Sequence, residues 1–101
     1  MVKKVEYHPR AKEEIQEAAN WYDSKIEGLG IEFLIEVRQG ALKISQTSEM
    51  WQIYEGTTRR YLLKKFPFAI IYLSTEEKIL IVAVAHCKRK PEYWKERLKE
   101  A

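Results

Sequence analysis

The spacing of the hydrophobic positions changes near the middle of the chain. Between residues 9 and 44, apolar side chains recur at steps of three and four, in two stretches that each place one stripe along a helix. Pro9 suits the first turn of the first helix, and Gly28 and Gly30 predict where that helix stops. Two helices joined by a short glycine turn predict an antiparallel hairpin. The stripes are Ala11, Ile15, Ala18, Ala19, Tyr22 and Ile26, and then Phe33, Leu34, Val37, Ala41 and Ile44.

Beyond residue 56 the apolar runs become short and rich in β-branched and aromatic residues. The runs 60–66, 68–73 and 79–85 are separated by Pro67 and by the polar turn 74–78, so they predict an antiparallel meander of three strands. The run 79–85 is apolar at every position. It predicts a central strand that is covered on both faces.

The remaining segments complete the pattern. Residues 2–7 predict a short strand, and residues 45–56 predict a loop or a short irregular strand. The charged run 92–100 predicts a short helix with Trp94 and Leu98 on its apolar side. The order of these elements predicts an α+β fold in which the helix hairpin packs on one face of the sheet.

Length and composition limit the class of protein. The 101 residues predict one domain, 1–101, and 46% hydrophobic residues are enough to fill one core. Cys87 is the only cysteine, so no internal disulfide can form and no structural metal site is expected. The apolar runs are far shorter than the roughly 20 residues that cross a bilayer. We therefore expect a cytoplasmic protein that contacts no membrane and needs no cofactor.

The net charge of +3 is unevenly distributed. Residues 1–50 carry seven basic and nine acidic side chains, a net −2, whereas residues 51–101 carry eleven basic and six acidic ones, a net +5. A basic second half favours an anionic partner, either nucleic acid or an acidic peptide.

One group of basic residues lies on the first strand of the predicted meander, and a second lies just past its last strand. If its strands form one sheet, both groups can lie near one end of that sheet, where they would bind phosphates or stabilise a phosphodiester in its transition state. The alternative is an ordinary solvated surface. The first group is Arg59, Arg60, Lys64 and Lys65, and the second is Lys88, Arg89 and Lys90.

Three other side chains could carry chemistry or binding. His86 ends the last predicted strand, where it could act as a general acid or base, or could simply close the strand end by binding a backbone carbonyl. Tyr93 could stack on a base, or could anchor the terminal helix to the sheet. Cys87 has no second cysteine to react with, so we expect it to have a packing role.

The order and spacing of many small motifs resemble the RelE/ParE superfamily of bacterial toxins, and most of all its ParE-like branch, the plasmid stabilisation proteins. The resemblance covers nearly the whole chain. The residues that carry it are Pro9-Arg10-Ala11, Glu13, Glu14, Ala18, Trp21, Tyr22, Gly30, Phe33, Arg60, Phe66-Pro67-Phe68, Ile71-Tyr72, Ala83-Val84-Ala85-His86, Arg89, Pro91, Tyr93-Trp94 and Arg97.

Resemblance to the RelE-like members would imply cleavage of mRNA on the ribosome by basic residues of the meander, an arginine after the last strand and a terminal tyrosine. At the corresponding positions this chain keeps Arg60 and Tyr93. It has Leu62, Ala69 and Cys87 where charged groups would stand. The loss of one such contact costs several kcal/mol of transition-state stabilisation, so RelE-like cleavage is disfavoured.

Resemblance to the ParE-like branch implies a toxin that inhibits growth by contact with DNA gyrase, without chemistry of its own. It also implies a cognate antitoxin with an acidic, partly disordered segment that wraps over the toxin. Trp21 and Ile35 lie off the buried stripes. Together with Arg59 and Arg60 they are the expected antitoxin contacts.

Three hypotheses follow from the sequence. The first is a toxin of a type II toxin–antitoxin system that acts by binding a target such as gyrase. The second is an endoribonuclease, dependent on the ribosome or free, with an altered site formed by His86, Arg89 and Tyr93. The third is an inactive interaction module of the same fold. A homodimer and a toxin–antitoxin hetero-oligomer both stay open.

Overall fold

The computed structural model of the protein describes residues 2–100. Five strands and three helices follow one another in the order expected for an α+β fold, and the last helix continues into a 3₁₀ turn. The elements are β1 (Lys4–Tyr7), α1 (Pro9–Lys25), α2 (Leu29–Gln46), β2 (Gln52–Ile53), β3 (Arg59–Leu62), β4 (Phe68–Ser74), β5 (Lys78–His86) and α3 (Glu92–Lys95), followed by the 3₁₀ turn Glu96–Glu100.

The strands form one mixed sheet in the order β1-β5-β4-β3-β2. β3, β4 and β5 make the predicted antiparallel meander, and β1 joins it parallel to β5. The segment 45–56 is only partly the predicted loop. α2 continues to Gln46, and Gln52–Ile53 forms the edge strand β2 against β3.

Both faces of the sheet are covered, as predicted for its central strand. The hairpin of α1 and α2 packs on one face, where Phe33, Ile70 and Tyr72 are buried. On the opposite face, α3 places Trp94, only 1% exposed, against Ala69 and Val82. A chain of this length therefore builds two small cores from one sheet.

The hairpin turn differs from its prediction in the role of Gly30. α1 ends at Lys25, and Gly28, with φ +90°, precedes α2, but Gly30 lies inside α2. A Cβ atom at Gly30 would stand 2.5 Å from the backbone oxygen of Ala19. Gly30 is thus needed for the close approach of the two helices and not for ending the first one.

The first meander strand is shorter than the predicted 60–66, because it ends at Leu62. Immediately afterwards the chain turns, and the backbone N–H groups of Lys64 and Lys65 donate to the carboxylate of Glu36 on α2. A side chain of the helix hairpin therefore replaces a strand as the partner of these backbone groups.

Candidate functional site

Five cations gather at one end of the sheet. β4 begins at Phe68 opposite His86 at the end of β5, and the Cys87 N–H donates to the Pro67 carbonyl across a distance of 2.8 Å. This bond brings the turn before β4 beside the turn after β5. We call the exposed basic side chains of these two turns the basic end: Lys64, Lys65, Lys88, Arg89 and Lys90.

Arg59 and Arg60 do not belong to the basic end, contrary to the expectation of one common cluster. Arg59 lies opposite Tyr72, toward the other end of the sheet, and its guanidinium donates to the carbonyls of Glu49 and Trp51 at 3.1 and 2.7 Å. The Arg60 guanidinium lies 4.3 Å from the ring centre of Tyr54. Both side chains are occupied in holding the β2 region.

Next to the basic end, an open cleft of about 260 Å³ separates α1 from the end of β5. The Trp21 side chain at its rim is 58% exposed and meets Tyr22 edge to face. The His86 ring packs on Phe68 with ring centres 5.4 Å apart, and its Nδ1 accepts the Lys88 N–H. The aromatic cleft, as we call it, is lined by Glu14, Glu17, Ala18, Trp21, Tyr22, Phe68, Val84, Ala85, His86, Arg89 and Tyr93.

The three residues predicted for an altered ribonuclease site, His86, Arg89 and Tyr93, therefore line one cleft. The Arg89 guanidinium lies 3.7 Å from the centre of the Tyr93 ring. The Tyr93 hydroxyl is buried without a hydrogen-bond partner among residues 2–100. Burial, reinforced by the nearby Glu14 carboxylate, raises the pKa of Tyr93 well above 10.0. Tyr93 is consequently even more firmly protonated near neutral pH than an ordinary tyrosine and has no ionised form there to act as a general base.

A buried ion pair that the sequence did not indicate closes the wall of this cleft. β1 ends opposite Ile81, so the outer edge of β5 has no neighbouring strand beyond that point. The Arg97 guanidinium donates to the Val82 carbonyl at 3.0 Å, and the Glu14 carboxylate accepts the Val84 N–H at 3.1 Å. The two side chains also bind each other at 2.8 and 3.0 Å. No local pattern signals this pair, because the partners are 83 residues apart in the chain.

Two of the positions that correspond to RelE-like catalytic residues lie on the other face of the sheet, whereas Tyr93 lines the aromatic cleft. Arg60 and Ala69 project on the side covered by α3, and Ala69 is buried in the cluster around Trp94. His86 shares the hairpin side with its strand partner Phe68. A RelE-like set of charges is therefore not assembled on either face.

A second groove runs between α2 and the turn that carries Lys64 and Lys65. Its volume is about 310 Å³, and Ile35, which is 50% exposed, lies in its wall. Ile31 and Leu42 continue an exposed apolar line along α2. We call these three side chains the hairpin stripe.

The described residues offer neither a metal site nor a membrane-spanning helix. Within residues 2–100, no group of three or more His, Cys, Asp or Glu side chains could hold a metal ion. None of the helices in the same range has the length and apolar character to span a membrane.

The order of elements, the mixed five-stranded sheet and the covering α3 define an α+β domain. No protein-family model matches the sequence, and neither does any curated protein. Among solved structures, the ParE toxin of a chromosomal ParDE toxin–antitoxin system from P. aeruginosa is similar to this chain, with a TM-score of 0.76 at 12% identity. The match covers 84% of this chain and 96% of that one. The fold is therefore ParE-like, which confirms the resemblance seen in the sequence at the level of fold.

Proposed function

We propose that this chain is the toxin of a type II toxin–antitoxin pair, that it works in the cytoplasm as a single domain, and that it inhibits growth by binding a target. The observation that carries this proposal is the likeness of nearly the whole fold to the toxin of a ParDE system. We further propose a role in plasmid stabilisation and DNA gyrase as the target, because the ParE-like resemblance implies both.

Two features favour binding over catalysis. The positions of RelE-like catalytic charges hold Leu62, Ala69 and Cys87, and Ala69 is buried beneath α3. Tyr93, which matches the family tyrosine, has a buried hydroxyl and a raised pKa. A site with these properties offers little stabilisation to a phosphodiester in its transition state.

The test is induced expression of the chain, followed by a growth curve and a supercoiling assay with purified gyrase. We expect growth arrest and inhibition of supercoiling by both the native chain and His86→Ala. If His86→Ala abolished growth arrest at an unchanged melting temperature, the binding mechanism would be wrong. No growth arrest by the native chain would favour an inactive interaction module.

An endoribonuclease is the second candidate, because His86, Arg89 and Tyr93 share one cleft. Primer-extension mapping of cellular mRNA after induction tests it directly. New cleavage sites that disappear in His86→Ala, while gyrase stays active, would support this candidate against the first.

For the antitoxin partner, we propose that its apolar side chains cover the hairpin stripe and Trp21, and that its acidic side chains contact the basic end. Exposed apolar side chains in a row and unpaired cations beside them suit an amphipathic acidic segment that orders on binding. Arg59 and Arg60, which we expected from the sequence to make these contacts, are engaged within the chain.

This partner is tested by co-expression of the neighbouring gene product and by measuring its affinity at low and high salt. We expect Ile35→Asp to weaken capture at any salt concentration, and Lys88→Glu with Lys90→Glu to weaken it mainly at low salt. Lys4→Glu on the far edge strand is the matched control and should have little effect. If none of these substitutions changed the affinity for the partner, the proposed antitoxin-binding surface would be wrong.

A further inference from the structure

The basic end gathers five exposed cations whose nearest carboxylates leave them without ion pairs. Glu32 and Glu36 share a groove with Lys64 and Lys65, and Glu13 and Glu96 share a pocket with Arg89. None of its five cations forms an ion pair with a described residue. Glu36 contacts this region, but it accepts the backbone N–H groups of Lys64 and Lys65. Five exposed cations at one end of a small domain repel one another. A polyanion that binds there relieves this repulsion and releases its own counterions.

The aromatic cleft opens directly beside these cations. Arg89 belongs to both, and the Lys88 N–H is bonded to His86 in the cleft wall. Trp21 presents more than half of its surface at the rim, with the Lys25 ammonium 5.1 Å from its ring centre. Exposed rings next to a line of cations are the combination that holds single-stranded nucleic acid, because bases stack while phosphates meet the cations. A cleft of about 260 Å³ admits a planar ring system but no helix, which is about 10 Å across.

The sign of the charge reverses inside the cleft. Glu14 is engaged by Arg97, whereas Glu17 forms no hydrogen bond or ion pair within residues 2–100. A carboxylate accepts hydrogen bonds from the exocyclic amino groups of cytosine and adenine, which thymine and uracil lack. An acidic peptide would bring a like charge toward Glu17. A nucleotide instead places its neutral base inside the cleft beside Glu17 and its phosphates outside the cleft beside the lysines, so it suits the charge of both regions.

We propose that the basic end and the aromatic cleft together bind single-stranded nucleic acid, with one amino-bearing base on Trp21 and its flanking phosphates on the lysines. A single strand is required because the base must leave its stack to enter the cleft. This surface lies on the hairpin face, opposite the face that holds Arg60 and Ala69. The inference goes beyond the proposed function, since it depends on neither toxicity nor an antitoxin. A nucleic-acid strand and the antitoxin segment would compete for Trp21 and the basic end.

The experiment measures fluorescence anisotropy of labelled cytosine and thymine oligodeoxynucleotides of about 12 residues with the full chain. We expect the cytosine strand to bind more tightly than the thymine strand. Its affinity should fall steeply between about 50 and 200 mM salt, with a logarithmic slope of about −3.5 if all five cations meet phosphates. An RNA cytosine strand and a duplex complete the comparison, and we expect the duplex to bind more weakly.

Variants separate the two halves of the site. Trp21→Ala should weaken binding about 5- to 150-fold, while Trp21→Phe keeps most of the affinity because a ring remains. Each of Lys64→Ala, Lys88→Ala and Lys90→Ala should reduce the salt slope by about 0.7, whereas the control Lys4→Ala leaves it unchanged. Glu17→Ala should remove the preference for cytosine over thymine.

Several results would overturn the proposal. These are no binding of any strand at low salt, binding that Trp21→Ala and the lysine variants leave unchanged, or tighter binding of the duplex. Equal affinity for the two strands would refute the role of Glu17. A polyglutamate peptide that bound at least as tightly as the cytosine strand at equal charge concentration, with the same dependence on Trp21, would assign the surface to an acidic protein alone. Melting temperatures of all variants, measured alongside, separate loss of binding from loss of folding.

Discussion

Single residues replace missing strand contacts at the open edge of β5. The Glu14–Arg97 pair satisfies a backbone carbonyl and a backbone N–H that no strand reaches, and both side chains are almost buried. Such pairs contribute little net stability compared with an apolar pair, but removing one partner leaves the other charge buried and unpaired. The pair therefore fixes α1 and the C-terminal segment to the sheet edge.

We predict that Arg97→Ala destabilises the fold by about 3–5 kcal/mol, because the Glu14 carboxylate is left in a nearly buried position. The double variant Glu14→Gln with Arg97→Met should recover a large part of that loss, since no charge remains unpaired. Urea denaturation of the two variants and the native chain measures the difference. A double variant less stable than Arg97→Ala would show that the pair acts in some other way.

A second residue-scale prediction concerns alkaline pH. The buried Tyr72 hydroxyl donates to the Ser48 carbonyl at 2.5 Å, and burial raises its pKa from 10.0 to about 12, although the charge of Arg59 opposes this. The Tyr72 hydroxyl ionises at a lower pH in the unfolded chain than in the folded one. The stability that this hydroxyl contributes to the fold is therefore complete below about pH 10 and declines as the pH rises toward about 12.

Tyr72→Phe should therefore be less stable than the native chain near neutral pH by about 1–3 kcal/mol, because the Ser48 carbonyl loses its donor. Above about pH 10 the difference between the two should shrink. Urea denaturation between about pH 8 and 12 measures the free energy of unfolding of both proteins. The lysines titrate in both, so their effect cancels when one free energy is subtracted from the other. A difference that stays constant over this range would contradict the raised pKa.

At the scale of elements, the helix hairpin depends on contacts at its turn. The Asp23 carboxylate of α1 accepts the N–H groups of Gly28 and Gly30 at 3.0 and 3.2 Å, so it caps the start of α2 from across the turn. The missing side chain at Gly30 lets the two helices approach there. One glycine and one carboxylate thus determine how α2 begins.

We predict that Gly30→Ala destabilises the domain by about 1–3 kcal/mol, although alanine favours a helix by up to about 1 kcal/mol. The new methyl group would meet the backbone of Ala19, which can yield only if the helices separate. Gln39→Ala, at an exposed position of the same helix, is the control and should change stability little. Thermal and urea unfolding of both variants provide the measurement, and equal stability of Gly30→Ala and the native chain would refute the close approach.

At the scale of the whole molecule, the basic side chains divide into two populations. Arg59 and Arg60 are bonded or stacked within the fold, whereas the four lysines of the basic end are exposed and form no ion pair with a described residue; its Arg89 stacks on Tyr93. Composition alone gives the total number of basic residues and does not distinguish those held within the fold from those exposed at the basic end.

Arg59→Ala should consequently lower stability by about 1–3 kcal/mol, since two backbone carbonyls lose a charged donor. Lys88→Ala should leave stability within about 0.5 kcal/mol and act only on binding. Paired melting curves and oligonucleotide titrations distinguish the two. The division would be wrong if Lys88→Ala destabilised the chain as much as Arg59→Ala.

The sequence predicted elements where a local pattern repeats. Helical spacing located α1 and α2, and continuous apolar character identified β5 as a strand covered on both faces, although β4 is the middle strand of the sheet. It missed Gly30 as a residue of close approach, because a glycine in a turn region looks the same whether it ends a helix or lets two helices touch. It also joined Arg59 to Lys64, because nearness in the chain does not reveal which end of a strand a side chain occupies.

By itself, the sequence determined the α+β class, the hairpin and the meander, since periodicity and composition are local and survive without coordinates. The likeness to ParE toxins came separately, as a resemblance in the order of its motifs. Only the tertiary structure decided which cations stand together, that His86 faces the hairpin while Ala69 lies beneath α3, and that Glu14 meets Arg97. Those facts depend on strand register and on pairs far apart in the chain. Register changes the face and the end that every side chain occupies, and it is set by the packing of the whole domain.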